Sequence, residues 1–253
     1  MTEQSRIALI TGGSRGLGRA TVLALAARGV DSIFTYNSNH GEAAKVIAAA
    51  EGLGARATAL KLDTGDTAVF PAFAGEVANA LGRWGVERFD FLVNNAGTSH
   101  HAPITQVTEE DFDALYRVHV KGVFFLTQTL LPLMADGGRI VNMSSGLTRF
   151  SYPGSAAYAA MKGAVEVLTR YMARELGDRR ITANTVAPGA IATDFSGGMV
   201  RDNPEVNKLI ASMTPLGRVG QPDDVGPMIA SLLSDDHRWV NAQRVEISGG
   251  VAG

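Results

Sequence analysis

Two ionisable side chains stand out in the segment GSAAYAAMKGA: Tyr158 and Lys162, four residues apart among Gly, Ser and Ala. On a helix that spacing puts both on one face. A free phenol titrates near pH ~10 and is a poor acid or base at neutral pH. An ammonium fixed beside it would favour the phenolate and lower that value. A hydroxyl from Ser145, upstream in the chain, could hold a substrate oxygen against the phenol. The small neighbours keep the helix surface low, so a flat cofactor and substrate could lie on it. A Tyr–Lys pair at this spacing also occurs on ordinary solvated helix faces. Its weight comes from the other motifs and from their order.

Those motifs depend on the elements that carry them. Short apolar runs at 6–11, 32–36, 56–63, 89–95, 138–145, 180–188 and 242–248 read as strands. Between them, 18–29, 41–54, 67–82, a long segment 108–135, the Tyr–Lys segment to about 177, and 221–234 read as helices. About seven strands alternating with helices predict a single-domain, doubly wound (Rossmann) α/β fold, with a parallel sheet covered on both faces. In such a sheet ligands bind beyond the carboxyl ends of the strands, where strand order reverses. Chemical residues are therefore expected just after strands.

After the first strand comes TGGSRGLG, in which Gly12, Gly16 and Gly18 frame a turn opening a helix. Glycines there would let the backbone approach a pyrophosphate, which the helix N-terminus attracts. The spacing is not G-x-G-x-x-G, and an ordinary Gly-rich turn is the bland alternative. An NAD site usually carries an acid about 20 residues further on, but this region reads TYNSNH. Arg15 could instead meet a 2′-phosphate, which favours NADP(H); as a solvated loop arginine it would mean nothing. Asp63, after the third strand, could accept from an adenine amino group or merely cap the helix that follows. NNAG, from Asn94 to Gly97, would lie beside the glycine turn if the first and fourth strands are neighbours.

Bulk properties exclude other classes. The net charge of −2 gives no reason to expect nucleic acid or an anionic membrane as partner. The absence of cysteine excludes disulfides and thiolate metal sites. No window matches a signal peptide or a membrane span, so a cytoplasmic protein is expected. No metal site is expected either.

TGGSRGLG, NNAG, Ser145, the Tyr158–Lys162 pair and Pro188-Gly189 together resemble the short-chain dehydrogenase/reductase family in its roughly 250-residue form, from Arg6 to Gly250. GRVGQPDDVG and NAQRVEISGG look like its 3-oxoacyl-carrier-protein reductase-like members. The resemblance implies hydride transfer between a nicotinamide and a carbonyl or alcohol carbon. It makes Tyr158 the acid and base, Lys162 the ribose binder that keeps the phenol acidic, and Ser145 the group orienting the carbonyl oxygen. For the cofactor it implies Gly12, Ser14, Arg15, Gly16, Leu17 and Gly18 at the turn, then Asn37, Ser38, Asp63 and Thr64. Asn95, Ala96 and Gly97 would line the cleft, with Pro188, Gly189, Ile191 and Thr193 near the nicotinamide or phosphates. It divides the domain, residues 1–253, into a cofactor half, about 6–135, and a catalytic and substrate half, about 136–253. Members of this length are usually homotetramers.

One departure matters. The family usually carries Asn where this chain has His119, in HVKGVF. That Asn holds a water relaying protons from the lysine. His119 could order the water, titrate itself, or simply pack. Ser99, Ser145, Leu147, Tyr152, Phe195 and Met199 are the expected substrate contacts, with Gly197-Gly198 as the hinge of a lid. His100 and His101 could edge the same pocket.

The leading expectation is an NADPH-dependent reductase turning a ketone or 3-oxoacyl-type carbonyl into a secondary alcohol. The alternatives are an NAD-dependent alcohol dehydrogenase working oxidatively, and a catalytically inactive NADP-binding regulatory or scaffold protein.

Overall fold

A computed structural model of the protein describes residues 5–251, so the outermost residues of the 1–253 domain reading lie outside it. Seven strands form one sheet, every pair parallel: β1 (Ile7–Ile10), β2 (Asp31–Tyr36), β3 (Ala57–Lys61), β4 (Phe89–Asn94), β5 (Met134–Met143), β6 (Thr182–Pro188) and β7 (Arg244–Ile247). The order is β3-β2-β1-β4-β5-β6-β7, with the reversal between β1 and β4. This is the doubly wound fold.

The apolar strands follow from burial on both faces. Ile7 and Leu9 of β1 point into one core, with Phe73, Val77, Leu92, Leu126 and Ile140. Ala8 and Ile10, one residue out of phase, enter the other with Val22, Leu25, Phe34, Val225 and Ile229. The helices covering the second core are α1 (Gly16–Ala26), α2 (His40–Gly52) and α9 (Pro222–Leu232); α3 (Phe70–Arg83), α5 (Gly122–Leu130) and α6 (Ala156–Glu175) cover the first. Pro71 sits in the first turn of α3, where no backbone donor is needed.

The long segment read as one helix over 108–135 behaves differently. Thr108 caps α4 (Glu109–Tyr116) by accepting from the Asp111 amide at 3.1 Å. A π turn follows over Arg117–Lys121, then α5, which ends at Leu130. Pro132 forces a short 3-10 turn, and Met134 already belongs to β5. The expected helix thus runs several residues too far, because apolar periodicity cannot mark where a buried helix gives way to a buried strand. Beyond β6, short helices occupy the expected lid: a 3-10 turn over Phe195–Gly198, α7 (Met199–Asp202) and α8 (Pro204–Met213). Ser196, Gly197 and Gly198 all have positive φ there.

Candidate active site

The first wall of the site is the glycine turn between β1 and α1. Asn95, just past β4, donates from Nδ2 to the Thr11 and Gly12 carbonyls at 2.9 and 3.1 Å. Thr11 Oγ1 accepts from the Asn95 and Ala96 amides, both at 2.9 Å. NNAG and the glycine turn are therefore laced together at the point where strand order reverses. Gly18 must be glycine, since a Cβ would overlap the Gly12 carbonyl and lie 2.7 Å from Asn95 Nδ2. Gly12 adopts φ 67°, and a Cβ there would press on Ala96. These are the close approaches a backbone needs to cradle a phosphate at a helix N-terminus. Gly16 faces Thr193 across the cleft, with a notional Cβ 3.7 Å from it.

The rest of the cofactor set lies around this turn. Ser14 is buried, while Arg15 is exposed and reaches Asp194 at 3.9 Å. Leu17 packs partly buried against the core. Asn37 and Ser38 follow β2, and no carboxylate stands among residues 37–40. Asp63 Oδ1 accepts from the Gly65 amide at 2.8 Å, and the cap of the next turn is Asp66, not Asp63. Thr64 lines a small cavity with Thr11, Asn94 and Ala96. Pro188 ends β6, Gly189 continues its ladder by donating to the Ile247 carbonyl, and Ile191 bridges to Gly220.

The second wall is α6. Tyr158 and Lys162 occupy its first two turns, and Lys162 Nζ lies 5.6 Å from the centre of the Tyr158 ring. Lys162 is buried and donates to the carbonyl of Met143, the last residue of β5, at 2.8 Å. Burial pulls the ammonium down to about 7. Burial also pushes the Tyr158 phenol above its ordinary value. From the sequence Lys162 is expected to lower it, but burial raises it, and with both groups desolvated the neutral forms gain, so the phenol is protonated at neutral pH. A protonated phenol is the form that donates a proton.

His119 lies in the π turn, a feature common at functional sites. It is buried, and its Nε2 sits 2.7 Å from the Thr98 carbonyl. Assigning the Nε2 proton to that bond leaves Nδ1 as a buried acceptor without a protein partner. Burial, then the nearby Lys162, push its pKa down to about 3. Desolvation therefore works against titration of His119 near neutrality, one of the roles read from the sequence.

Ser145 lies two residues past β5, and its Oγ accepts from the Leu147 amide at 3.3 Å. Leu147 and Tyr152 line a mostly apolar cavity of about 580 Å³ with His101, Ile104 and Ala159. Of the expected substrate contacts, Ser99, Ser145, Phe195 and Met199 do not line it, and neither does Tyr158, so the cavity borders the Ser145 loop rather than the two hydroxyls themselves. Ser99 bonds Ser196 at 3.0 Å, and Phe195 faces Tyr158 with ring centres 6.0 Å apart, so both belong to the lid contact. Met199 starts α7 and is half-exposed. His100 does not edge the cavity; it approaches Asp111 at 3.5 Å. Among the described residues no group of His, Asp and Glu is arranged to hold a metal.

The chain carries a strongly diagnostic set: a glycine cradle at the switch point, a Tyr–Lys face and a serine at the end of the fifth strand. Residues 12–252 match a family model described as enoyl-(acyl carrier protein) reductase. A short-chain type dehydrogenase/reductase of Picea abies is 36% identical over 257 residues, covering 97% of this chain and 92% of that one. The chain belongs to the short-chain dehydrogenase/reductase family. A second relative of this dehydrogenase/reductase, the hydroxynaphthalene reductase-like protein Arp2 of Metarhizium brunneum, is 38% identical over 256 residues, covering 97% and 94%. The crystal structure of angucycline C-6 ketoreductase LanV with bound NADP superposes with a TM-score of 0.93 at 36% identity, covering 98% and 96% of the two chains.

Sequence reasoning missed several groups around this dehydrogenase/reductase site. The Met143 carbonyl, which receives Lys162, has no side-chain signal at all. Thr35 Oγ1, which accepts from the Gly12 amide at 3.0 Å, is read only from strand pairing. Glu166 and Arg244 were also missed, although Glu166 follows Lys162 by one helical turn on α6.

Proposed function

We propose that this protein is an NADPH-dependent reductase that converts a ketone or 3-oxoacyl-type carbonyl to a secondary alcohol, reversibly. The observation that carries the reading is the Tyr158–Lys162 face of α6, tied by Lys162 to the carboxyl end of β5, on the same edge of the parallel sheet as the glycine cradle after β1. Bound in that cradle, the nicotinamide cofactor would supply the hydride. Gly12, Gly16 and Gly18 admit its pyrophosphate, and Lys162 holds the ribose. Arg15 takes the 2′-phosphate, and the lack of an acid after β2 removes the usual partner of the NAD ribose. The NADP in the LanV structure supports the same choice. Ser145 holds the carbonyl oxygen while the Tyr158 hydroxyl gives it a proton. Leu147 and Tyr152 border the substrate, and Phe195 and Met199 close over it as a lid. The chain works as one domain, its cofactor half at about 6–135 and its catalytic half at about 136–253.

One of the similar proteins is named an angucycline C-6 ketoreductase and another a hydroxynaphthalene reductase-like protein, which fits the apolar cavity beside the Ser145 loop. The matching family description points instead to an enoyl thioester, and that is the second reading. The protein is further proposed to be cytoplasmic; among the described residues no helix is long and apolar enough to cross a membrane. A homotetramer would cover the exposed Phe112, Tyr116, Phe124, Phe125 and Tyr171 on α4, α5 and α6.

The test follows NADPH and NADH oxidation over cyclic ketones, 3-oxoesters and an enoyl thioester, with Tyr158→Phe as control. Ketone turnover preferring NADPH and lost in Tyr158→Phe is the expected result. Preference for NADH would favour the oxidative dehydrogenase. Turnover of the enoyl thioester alone would favour the second reading, and tight binding without turnover the non-catalytic protein. Light scattering on the eluting protein gives the oligomer.

A further inference from the structure

The loop that carries Ser145 is held by a charged cluster drawn from three elements. Glu166, on α6, accepts at Oε1 from Ser144 Oγ at 2.5 Å, from Thr148 Oγ1 at 2.8 Å and from Arg244 Nε at 2.7 Å. Arg244, on β7, also donates to the Ser145 carbonyl and to Thr148 Oγ1, both at 3.1 Å. Its remaining bond goes to Glu246 Oε2 at 2.8 Å, where Arg149 of the same loop donates at 2.7 Å. Ser144 and Thr148 flank Ser145, so the cluster grips the loop on both sides of it and at its own carbonyl. Glu166 and Arg244 are largely buried, with 16% and 19% of their side chains exposed. Burial alone would raise the Glu166 carboxyl, but the bonds from Ser144, Thr148 and Arg244 outweigh it and hold the group ionised.

The position of Glu166 gives the cluster its meaning. It stands one helical turn after Lys162, on the helix that also carries Tyr158. One helix therefore carries the phenol, the ammonium and the carboxylate that holds the Ser145 loop through the Ser144 and Thr148 hydroxyls. Lys162 meets the backbone only at Met143, the foot of the loop, whereas Glu166 grips the loop itself; charge-assisted bonds of this kind are about twice as strong as neutral ones.

We propose that Glu166 and Arg244 are positioning residues that fix the hydroxyl of Ser145 relative to the hydroxyl of Tyr158, so that both meet one substrate oxygen. This rests on the proposed role of Ser145 and Tyr158 in carbonyl reduction. Misplacing a reacting group by about 1 Å can cost about 100-fold in rate. A bond network that serves only folding would lower stability without that specific loss.

The experiment is a double-mutant cycle on ketone reduction, read with enzyme in excess so that slow rates stay measurable. Glu166→Gln is expected to lower the rate of the chemical step by about 10- to 100-fold. NADPH affinity, read by quenching of protein fluorescence, should stay within about twofold. In a Ser145→Ala background the same substitution should cost less than about twofold, because the group it positions is gone. Equal losses in the two backgrounds would overturn the proposal, as would an unchanged rate in Glu166→Gln. Should Glu166→Gln not fold, Thr148→Val and Arg244→Lys carry the same cycle: each removes loop contacts while leaving the carboxylate in place. No rate loss in either, or losses additive with Ser145→Ala, would equally reject it. The underlying reading fails separately, through a Ser145→Ala protein as fast as the wild type.

Discussion

The imidazole of His119 meets the ring of Tyr158 edge-on, with centres 5.3 Å apart and planes at 89°. His119 is also anchored to Thr98, in the segment that follows NNAG. The ring at this position thus packs edge-on against the phenol, with burial favouring its neutral form. His119→Asn should leave the pH–rate curve of ketone reduction unchanged in shape between about pH 5 and 9, since a group titrating at about 3 contributes no limb there. His119→Ala should lose about 2–4 kcal/mol of stability by opening a cavity under Tyr158, and a lower kcat with it. A limb present in the wild type and missing or shifted in His119→Asn would return the proton-relay role to the imidazole itself.

Lys162 predicts a limb of its own. Burial lowers its pKa to about 7, so the ammonium is present below that pH and lost above it. For the free enzyme, kcat/KM of reduction should fall as pH rises through about 7. In Lys162→Arg the residual activity should lack this limb, because a guanidinium stays charged throughout. A profile flat from pH 6 to 9 in the wild type would assign the ammonium a higher pKa.

The glycine cradle gives a structural test. Gly18→Ala places a methyl against the Gly12 carbonyl and Asn95, which should cost about 1–3 kcal/mol and weaken NADPH binding together. Asn95→Ala should act alike by a different route, since it leaves the Thr11 and Gly12 carbonyls without their donor at about 1–3 kcal/mol. Denaturant melts and NADPH titrations read both quantities on the same samples.

The proposed choice between the two nicotinamide cofactors rests on Arg15. Its ion pair with Asp194 is long and exposed, so breaking it costs little. Arg15→Ala should leave stability unchanged and cut the preference for NADPH over NADH by about 10- to 100-fold, the loss of one charged hydrogen bond. An unchanged cofactor ratio would place the 2′-phosphate elsewhere.

At the entry of α9 the Asp224 carboxylate binds Arg218 and accepts from the Gln221 amide at 2.7 Å. These bonds draw its pKa from 3.8 down to about 2. A depressed carboxylate stabilises the fold above its unfolded pKa and loses that contribution as pH falls through the folded one. Asp224→Asn should therefore lower stability by about 1 kcal/mol at neutral pH, discounted for exposure, and by progressively less as pH falls from about 4 toward about 2. Thermal melts at the two pH values check the difference.

The sequence alone determined the alternation of strands and helices, and hence the doubly wound class, because strands buried on both faces must be apolar throughout and helices must not. It also singled out TGGSRGLG, NNAG, Ser145, Tyr158 and Lys162, whose types and spacing are set by local chemistry. The end of the long helix was illegible, since a buried helix and a buried strand share the same apolar residues around Leu131 and Leu133. Only the tertiary structure decided the protonation states of the site. Desolvation depends on what surrounds Tyr158, Lys162 and His119 in space: it raises the phenol and lowers the ammonium and the imidazole. The Glu166–Arg244 grip was likewise beyond reach: it joins α6 to β7 across 78 residues of chain, and only the packing of the sheet's last strand against that loop brings the charges together.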